Sequence, residues 1–256
     1  MEVRAKKSLG QHFLTDLGVA RRIVDSLAIS DGGKVLEIGP GMGVLSQYLL
    51  EREDIDLTMV EIDSESVVYL LKHFEKAAGR VIEGDYLRLN VAKLFDGSYR
   101  VIGNFPYNIS SQIFFKILDD KDLVPEVVCM IQKEVAERIA EKPGSKTYGI
   151  LSVLLQAWYD IEYLFTVGPG AFAPPPKVHS AVIRLTRNSR TELGCNESLF
   201  KAVVKTAFNQ RRKTLRNALK PLIPEGMDTS DDIFNLRAER LGVEDFVALT
   251  RRIQEA

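Results

Sequence analysis

The chain has 256 residues, of which 45% are hydrophobic and 27% charged, and its formal net charge at pH 7 is −1. This length allows one large domain, or one domain with a small second one, and the balance is typical of a globular protein with a full core. Two cysteines, Cys129 and Cys195, argue against a disulfide framework and a cysteine zinc site. The basic N-terminus and the lack of a run of ~18 apolar residues predict no secretory signal and no membrane span, so we expect a cytoplasmic protein.

Seven strand-like apolar runs follow one another along the chain, and the first five alternate with segments of helical spacing at 44–51 and 64–78. The runs cover residues 34–39, 57–62, 80–85, 99–105, 126–132, 161–167 and 181–186. This alternation predicts an α/β fold with a parallel sheet and helices on both faces. A proline-rich loop, 168–179, joins the last two runs, which predicts a final antiparallel pair at one edge.

The first run ends in Glu-Ile-Gly-Pro-Gly-Met-Gly at residues 37–43, where a helical segment begins. Glycines at such a junction let the backbone approach a ligand closely and leave helix amide groups pointing at it. Gly39 and Gly41 are therefore candidate ligand contacts. The same pattern also fits a dinucleotide-binding fold, or a tight strand-to-helix turn without a ligand.

Acidic residues stand at the ends of the next two runs. Glu61 lies 22 residues after Gly39, where an acid can accept both hydroxyls of a ribose. Asp85 ends the third run, where a carboxylate could bind the amino group of an adenine. NAD-binding folds share the glycine loop and the ribose acid, but the aspartate and the unusual end of the fourth run favour S-adenosylmethionine.

The fourth run ends in Asn104-Phe105-Pro106-Tyr107. An exocyclic amine of adenine is a poor nucleophile because its lone pair is delocalised, so a catalyst needs acceptors for its two N–H groups. The side-chain oxygen of Asn104 can supply one acceptor, and a backbone carbonyl beside Pro106 the other, because proline stiffens the turn. Tyr107 offers a flat face for an extruded base, worth roughly 1–3 kcal/mol. The same four residues could instead form an Asx-type turn with a core tyrosine.

Beyond residue 186 a polar linker, 187–198, is followed by helical patterns alone. Val204, Phe208, Leu215 and Leu219 fall on one helical face, which predicts a helix with the basic residues between them. The stretch 201–220 has no acidic residue and seven basic ones: Lys201, Lys205, Arg211, Arg212, Lys213, Arg216 and Lys220. We expect one domain over residues 1–188 and a small helical domain over 189–256.

These residues resemble a known family, the small-subunit ribosomal RNA adenine dimethyltransferases, which are the kasugamycin-resistance enzymes of bacteria. The resemblance covers nearly the whole chain. Its motifs are KSLGQHFL at 7–14, the glycine loop at 37–43, the turn at 104–110, FAPPPKVHSAVIR at 172–184 and FNQRRKTLRNAL at 208–219. The family commonly has Leu in place of Phe105 and often Asn in place of His12. Phe105 has no hydrogen-bonding side chain, so this departure does not put activity in doubt.

The resemblance implies a class I, Rossmann-like S-adenosylmethionine-dependent methyltransferase domain with a small all-helical C-terminal domain. In this family, His12 and Leu14 would close over the cofactor. Gly39, in a loop that also holds Gly41, would lie under the methionine part of the cofactor. Glu61 would hold its ribose and Asp85 its adenine, while Asn104 would lie between the cofactor and the target base.

For the reaction, the resemblance implies transfer of two methyl groups to N6 of each of two adjacent adenosines in the 3′-terminal hairpin of 16S RNA. The protein would act as a monomer, without a metal, on an immature 30S particle during ribosome biogenesis. The residues expected to address the base are Asn104, Pro106, Tyr107 and Phe172. The residues expected to contact RNA are Arg211, Arg212, Lys213 and Arg216, unless they only solvate a surface helix.

Two alternatives remain. A large-subunit ribosomal RNA adenine methyltransferase of the antibiotic-resistance type shares the glycine loop and the Asn-x-Pro-Tyr/Phe turn, but the motifs at 172–184 and 208–219 argue against it. A non-catalytic RNA-binding ribosome assembly factor would share the fold. Four intact residues argue against a non-catalytic factor: Gly39, Glu61, Asp85 and Asn104. A cofactor titration separates an enzyme from such a factor.

Overall fold

The computed structural model describes residues 3–6, 9–29 and 33–256, so Lys7 and Ser8 of the first motif lie outside the described residues. The chain forms two compact units. One comprises Met1–Ala136 and Ile161–Arg187, and the other comprises Glu137–Asp160 and Asn188–Ala256. The second unit therefore also takes residues from the middle of the chain. The domain boundary expected between residues 188 and 189 stays a prediction.

Nine strands occur in the part of the chain that the structure describes. They are β1 (Phe13–Leu14), β2 (Gly33–Ile38), β3 (Ile55–Glu61), β4 (Val81–Glu83), β5 (Tyr99–Asn104), β6 (Glu126–Gln132), β7 (Tyr159–Val167), β8 (Phe172–Ala173) and β9 (Ser180–Arg187). Each of the seven predicted runs matches one strand among β2–β7 and β9, with ends that differ by at most two residues.

Nine α-helices occur in the same described residues. They are α1 (Leu17–Asp25), α2 (Ser46–Leu49), α3 (Ser64–His73), α4 (Ser110–Asp119), α5 (Lys133–Ala140), α6 (Ile150–Gln156), α7 (Glu197–Asn209), α8 (Leu215–Ala218) and α9 (Val243–Glu255). Side-chain caps fix some of the starts, because a capping oxygen satisfies a free helix N–H. Asp63 accepts the N–H of Glu65 to begin α3, and Asn196 accepts that of Leu199 to begin α7.

One sheet holds seven strands in the order β4-β3-β2-β5-β6-β9-β7, and β1 pairs with β8 in a separate two-stranded sheet. The first five strands of the large sheet run parallel, and β9 runs antiparallel to β6. Parallel strands therefore end at one edge, where Glu61 lies beside Glu83 and Asn104 beside Met130. The chain reverses its direction of travel across the sheet at β2, between β3 and β5, which is where open α/β sheets bind ligands.

The core of the first unit is the sheet itself. The side chains of residues 127–131 in β6 are fully buried, as expected for a strand covered on both faces. Cys129 is one of them. The sheet thus gives the side chains at its strand ends a rigid support.

The second unit is helical, and aromatic side chains join three of its segments. The ring of Phe208 in α7 lies 6.1 Å from the ring of Tyr148 and 5.9 Å from that of Phe246 in α9. Val204, Phe208, Leu215 and Leu219 are all buried in this unit, although they lie on two helices and the residue after the second rather than on one helical face.

The predicted continuous basic helix is wrong. Helix α7 ends at Asn209 and α8 begins at Leu215, so Arg211, Arg212 and Lys213 lie in a turn between two helices. Within the described ranges, none of the helices combines the length and apolar character needed to cross a bilayer. The same ranges contain no group of three or more His, Cys, Asp or Glu residues that could hold a metal ion.

Candidate active site

An open pocket lies at the edge where the parallel strands end. The space that it encloses together with its open mouth is about 980 Å³. Its walls come from the N-terminal segment 9–14, the glycine loop, the ends of β3, β4 and β5, and part of α4. All the residues predicted to contact cofactor or base line this pocket, except Phe172.

The glycine loop forms the floor of the pocket, and its glycines serve different needs. At Gly39 φ is +67° and a Cβ would meet nothing within 4 Å, so the backbone faces open space. At Gly43 φ is +80° and a Cβ would lie 2.5 Å from the ring of Phe74, so this glycine permits packing. Gly39 is thus the position at which a ligand can approach the main chain.

Glu61 ties the glycine loop to the end of β3. Its side chain is buried, its Oε2 accepts the N–H of Gly41 at 2.9 Å, and its Oε1 accepts the N–H of Asp63 at 2.8 Å. Burial raises the pKa of Glu61, and backbone bonds from Asp63, Gly41 and Ile62 oppose the rise. A carboxylate has about four acceptor positions, so Glu61 keeps acceptor capacity for a ribose beyond its backbone bonds.

Glu37 is a second buried acid in the pocket wall, and the sequence analysis treated it only as the start of the loop. Its Oε2 accepts the hydroxyl of Ser46 at 2.7 Å. The pKa of Glu37 is raised to about 8, mainly by burial and to a smaller extent by the nearby charge of Glu61, while the bond from Ser46 opposes the rise. The signal available in the sequence was an acid inside an otherwise apolar run.

Asp85 follows β4 and lines the pocket. Its Oδ1 accepts the N–H of Leu87 at 2.9 Å, and its Oδ2 lies 3.3 Å from Nε of Arg88. The side chain is about one-third exposed, so acceptor positions stay open to a ligand amine.

Asn104 ends β5 and contacts the N-terminal segment. Its Nδ2 donates to the carbonyl of His12 at 3.1 Å, a bond between residues 92 positions apart. The amide nitrogen therefore bonds to a distant segment rather than to its own turn, and Oδ1 remains as an acceptor. Next to it, Phe105 is buried against the ring of Phe114, and the carbonyl of Pro106 accepts the N–H of Ile109.

Tyr107 lies at the mouth of the pocket and is half-buried. Its ring stacks against that of His12 with centroids 5.5 Å apart, and its hydroxyl is hydrogen-bonded to that of Ser180. Burial raises the pKa of Tyr107, so its phenol stays protonated near neutral pH. His12 also contacts the proline-rich loop, with Nδ1 2.9 Å from the carbonyl of Pro174.

The N-terminal segment is clamped to the end of β3 by Asp63. Nζ of Lys6 lies 2.5 Å from Oδ1 of Asp63, and Nε2 of Gln11 donates to Oδ2 at 3.3 Å. Burial alone would raise the pKa of Asp63, but the bonds from Lys6, Gln11 and the backbone of Glu65 hold it below its usual value. Sequence reasoning misses this clamp because Lys6 and Asp63 are 57 positions apart.

Phe172 and the basic residues lie elsewhere. Phe172 forms β8, pairs with Leu14 and is 4% exposed within the core. The four predicted RNA contacts belong to the second unit. Two of them bind their own chain: Arg211 donates to the carbonyl of Ser145, and Arg216 donates to the carbonyl of Thr229.

Comparison with known proteins identifies close relatives along the full chain. A family model described as ribosomal RNA adenine dimethylase matches residues 2–254. The protein named ribosomal RNA small subunit methyltransferase A in Parabacteroides distasonis is 62% identical and covers 97% of this chain and 93% of its own. The protein of that name in Porphyromonas gingivalis is 57% identical and covers both chains completely.

Solved structures agree with these matches. A dimethyladenosine transferase from Plasmodium falciparum has a TM-score of 0.81 at 25% identity, covering 95% of this chain and 98% of its own. The 23S rRNA methyltransferase ErmE has a TM-score of 0.66 at 22% identity, with coverages of 94% and 99%, and shares the fold.

Proposed function

The chain belongs to the ribosomal RNA adenine dimethylase family, and we propose that it dimethylates N6 of two adjacent adenosines in the 3′-terminal hairpin of 16S RNA. The fold is the predicted α/β fold of class I methyltransferases, and the cofactor is S-adenosylmethionine. The observation that carries the proposal is the convergence of Glu61, Asp85 and Asn104 at three strand ends around one pocket. Action on an immature 30S particle, as a monomer in the cytoplasm, is part of the same proposal.

The pocket residues fit this cofactor. Glu61 offers acceptor positions for two ribose hydroxyls, Asp85 offers a carboxylate to the adenine amine, and the open backbone at Gly39 can lie under the methionine part. When bound, S-adenosylmethionine supplies a methyl group on a positively charged sulfur. Glu61 places a buried acid in the pocket wall, and a negative charge there would favour binding of a cationic cofactor.

Asn104 is proposed to hold the target amine. Because its Nδ2 is fixed by the carbonyl of His12, its Oδ1 is oriented as an acceptor for one N–H of the base. The carbonyl of Phe105 is the proposed second acceptor, since the carbonyl of Pro106 already accepts from Ile109. Two such bonds favour a pyramidal nitrogen with its lone pair available, and preorganised groups of this kind stabilise the transition state most.

Tyr107 is proposed to stack on the extruded base. Its raised pKa makes the phenol unsuited to act as a base, so the ring face is its useful part. No general base is required, because the proton can leave to water after methyl transfer. Phe172 is buried in the core and pairs with Leu14, and its contact with the base stays a prediction.

The alternatives are not favoured. The likeness to ErmE, at 22% identity, concerns the fold alone, whereas relatives above 55% identity are named for the small subunit. A purely non-catalytic role leaves unexplained why Asn104 is held with a free acceptor at the pocket.

Methylation of ribosomal particles tests the proposal. Particles prepared without the modification are incubated with the protein and S-adenosylmethionine, and primer extension reads the 3′ hairpin of 16S RNA. We expect stops at two adjacent adenosines, and none in large-subunit RNA treated in the same way. Cofactor binding without any stop in the 16S hairpin would refute the proposed function.

A further inference from the structure

Ser180 places a buried hydroxyl at the start of an apolar strand. It is the first residue of β9, and its side chain and those of residues 181–183 are fully buried. A hydroxyl taken out of water is unfavourable unless it forms a hydrogen bond. The bond that Ser180 forms joins its Oγ to the hydroxyl of Tyr107, 73 positions earlier in the chain.

The main chain around Ser180 is held without this hydroxyl. Ser180 lies beside Gln132 in the antiparallel pair of β6 and β9. Directly before it, the carbonyl of His179 accepts the N–H of Lys133 at 2.9 Å. These main-chain contacts fix the start of the strand, so the fold does not require the bond from Ser180 to Tyr107.

Tyr107, in contrast, is held at both of its ends by side chains. Its carbonyl accepts from Oγ of Ser110 at 3.3 Å, and its hydroxyl is bonded to Ser180. The ring of His12 stacks on it with an angle of 29° between the two planes. The two serines fix the direction in which the side chain points, and the His12 ring restricts rotation about that direction. The half-buried ring of Tyr107 therefore has one orientation.

Ser180 is placed so that it can act only through Tyr107. It is fully buried and does not line the pocket, so it cannot itself contact a base. Tyr107 does line the pocket, and its ring face is the part proposed to meet the base. Any effect of the Ser180 hydroxyl on the reaction is therefore an effect on this ring.

We propose that Ser180 is a positioning residue for methyl transfer, and that its hydroxyl holds the ring of Tyr107 in the orientation on which the target base stacks. The proposal rests on the proposed function, because it takes an extruded adenine as the stacking group. Extrusion of a base costs its stacking with neighbouring bases, and an aromatic face in the enzyme offsets part of that cost. A ring that is already oriented avoids the entropy cost of being ordered when the base arrives.

The variant Ser180→Ala tests the positioning role. Extrusion of the base is a step within the bound complex, so loss of the ring's orientation should change the rate rather than the affinity. The single-turnover rate of methylation at saturating unmethylated 30S particles should fall about 2- to 12-fold, the usual worth of one hydrogen bond. The Kd for S-adenosylmethionine and the Kd for the particles should not change.

The variant Tyr107→Phe breaks the same bond from the other side and keeps the ring. Its rate should fall to a similar extent, and its Tm should fall by about 2–4 °C because the buried Ser180 hydroxyl loses its partner. In the double variant Ser180→Ala/Tyr107→Phe both polar groups are absent, so the Tm should return toward that of the wild type. The rate should fall no further than in either single variant. Recovery of stability without recovery of rate distinguishes positioning from a purely structural role.

Thr250→Val is the matched control. Thr250 is also fully buried, and its Oγ1 donates to the carbonyl of Phe246 in its own helix, α9, at 2.7 Å. The control removes a hydroxyl of equal burial from the second unit. It should leave the methylation rate unchanged whatever its effect on the Tm.

The outcomes are distinct. An unchanged rate in Ser180→Ala or in Tyr107→Phe would overturn the positioning role and leave the proposed function standing, and so would effects that multiply in the double variant. A loss of cofactor affinity in Ser180→Ala that matches its loss of rate would also overturn it, because Ser180 would then support the donor pocket. If Ser180→Ala does not fold, Tyr107→Phe decides alone. Absence of 16S methylation by the wild-type protein would instead refute the function.

Discussion

Replacing Glu61 by alanine removes the acceptors of two buried backbone N–H groups at once. The N–H groups of Gly41 and Asp63 each lose a partner at 2.9 and 2.8 Å. An unsatisfied buried donor costs about 1–3 kcal/mol, so the free energy of unfolding should fall by about 2–6 kcal/mol. Burial of the carboxylate, which raises its pKa, is itself unfavourable and is relieved by the change. We therefore expect the lower end, a fall in Tm of about 4–8 °C.

The same change should weaken S-adenosylmethionine binding further. Loss of charge-assisted bonds to the ribose costs about 1.5–3 kcal/mol, which corresponds to about 10- to 150-fold in Kd. Calorimetry measures the affinity and a thermal melt measures the stability. Glu83→Gln is the control, because Glu83 lies beside Glu61 in the neighbouring strand but is exposed. Glu61→Ala with wild-type Tm and wild-type affinity would refute the reasoning, and so would tight binding of NADH.

Three other variants test the site. Asn104→Ala should keep cofactor and RNA affinity within a few-fold and reduce kcat by about 100-fold or more, because the Asn104 acceptor serves the transition state. An unchanged single-turnover rate at saturating RNA would show that Asn104 is only a turn residue. Lys6→Met removes the cation facing Asp63 and should speed cofactor dissociation several-fold in stopped-flow displacement, whereas equal rates would show that the clamp does not retain the cofactor. The folded-state pKa of Glu37, about 8, exceeds its ordinary 4.5, so the folded chain holds an extra proton between these values. Stability should thus fall as pH rises through this window and level off above about 8, and urea unfolding of Glu37→Gln at pH 6 and pH 8 should lack this part of the slope.

The strand ends were predictable from the sequence because parallel strands bring their carboxyl ends to one edge. Glu61, Asp85 and Asn104 each follow an apolar run, and the alternation with helical segments fixes their common edge. The residue types then indicate the chemistry. The sheet order, with β2 between β3 and β5, is the usual one for such alternation.

The segments that pack over the strand ends, β1 and β8, were not predictable in the same way. Strands β1 and β8 have two residues each, too few to show periodicity, and their pairing joins segments about 160 positions apart. The Lys6–Asp63 clamp is likewise a long-range contact without a local pattern. The prediction of one continuous basic helix was wrong for another reason. Residues 210–213 contain no glycine or proline, and the turn is set by tertiary contacts such as the bond from the N–H of Leu215 to the carbonyl of Leu236.

The reversed direction of β9 has a consequence for how this architecture can diversify. Because β9 opposes β6, its first residue, Ser180, lies beside Gln132 at the same edge as the pocket. The loop 168–179 thus returns to the mouth, where it meets His12 through Pro174 and Tyr107 through Ser180. In the gene, this loop is encoded more than a hundred codons after the glycine loop. Recombination can therefore exchange this loop, which forms one side of the pocket mouth, while the glycine loop and the end of β3 are inherited unchanged.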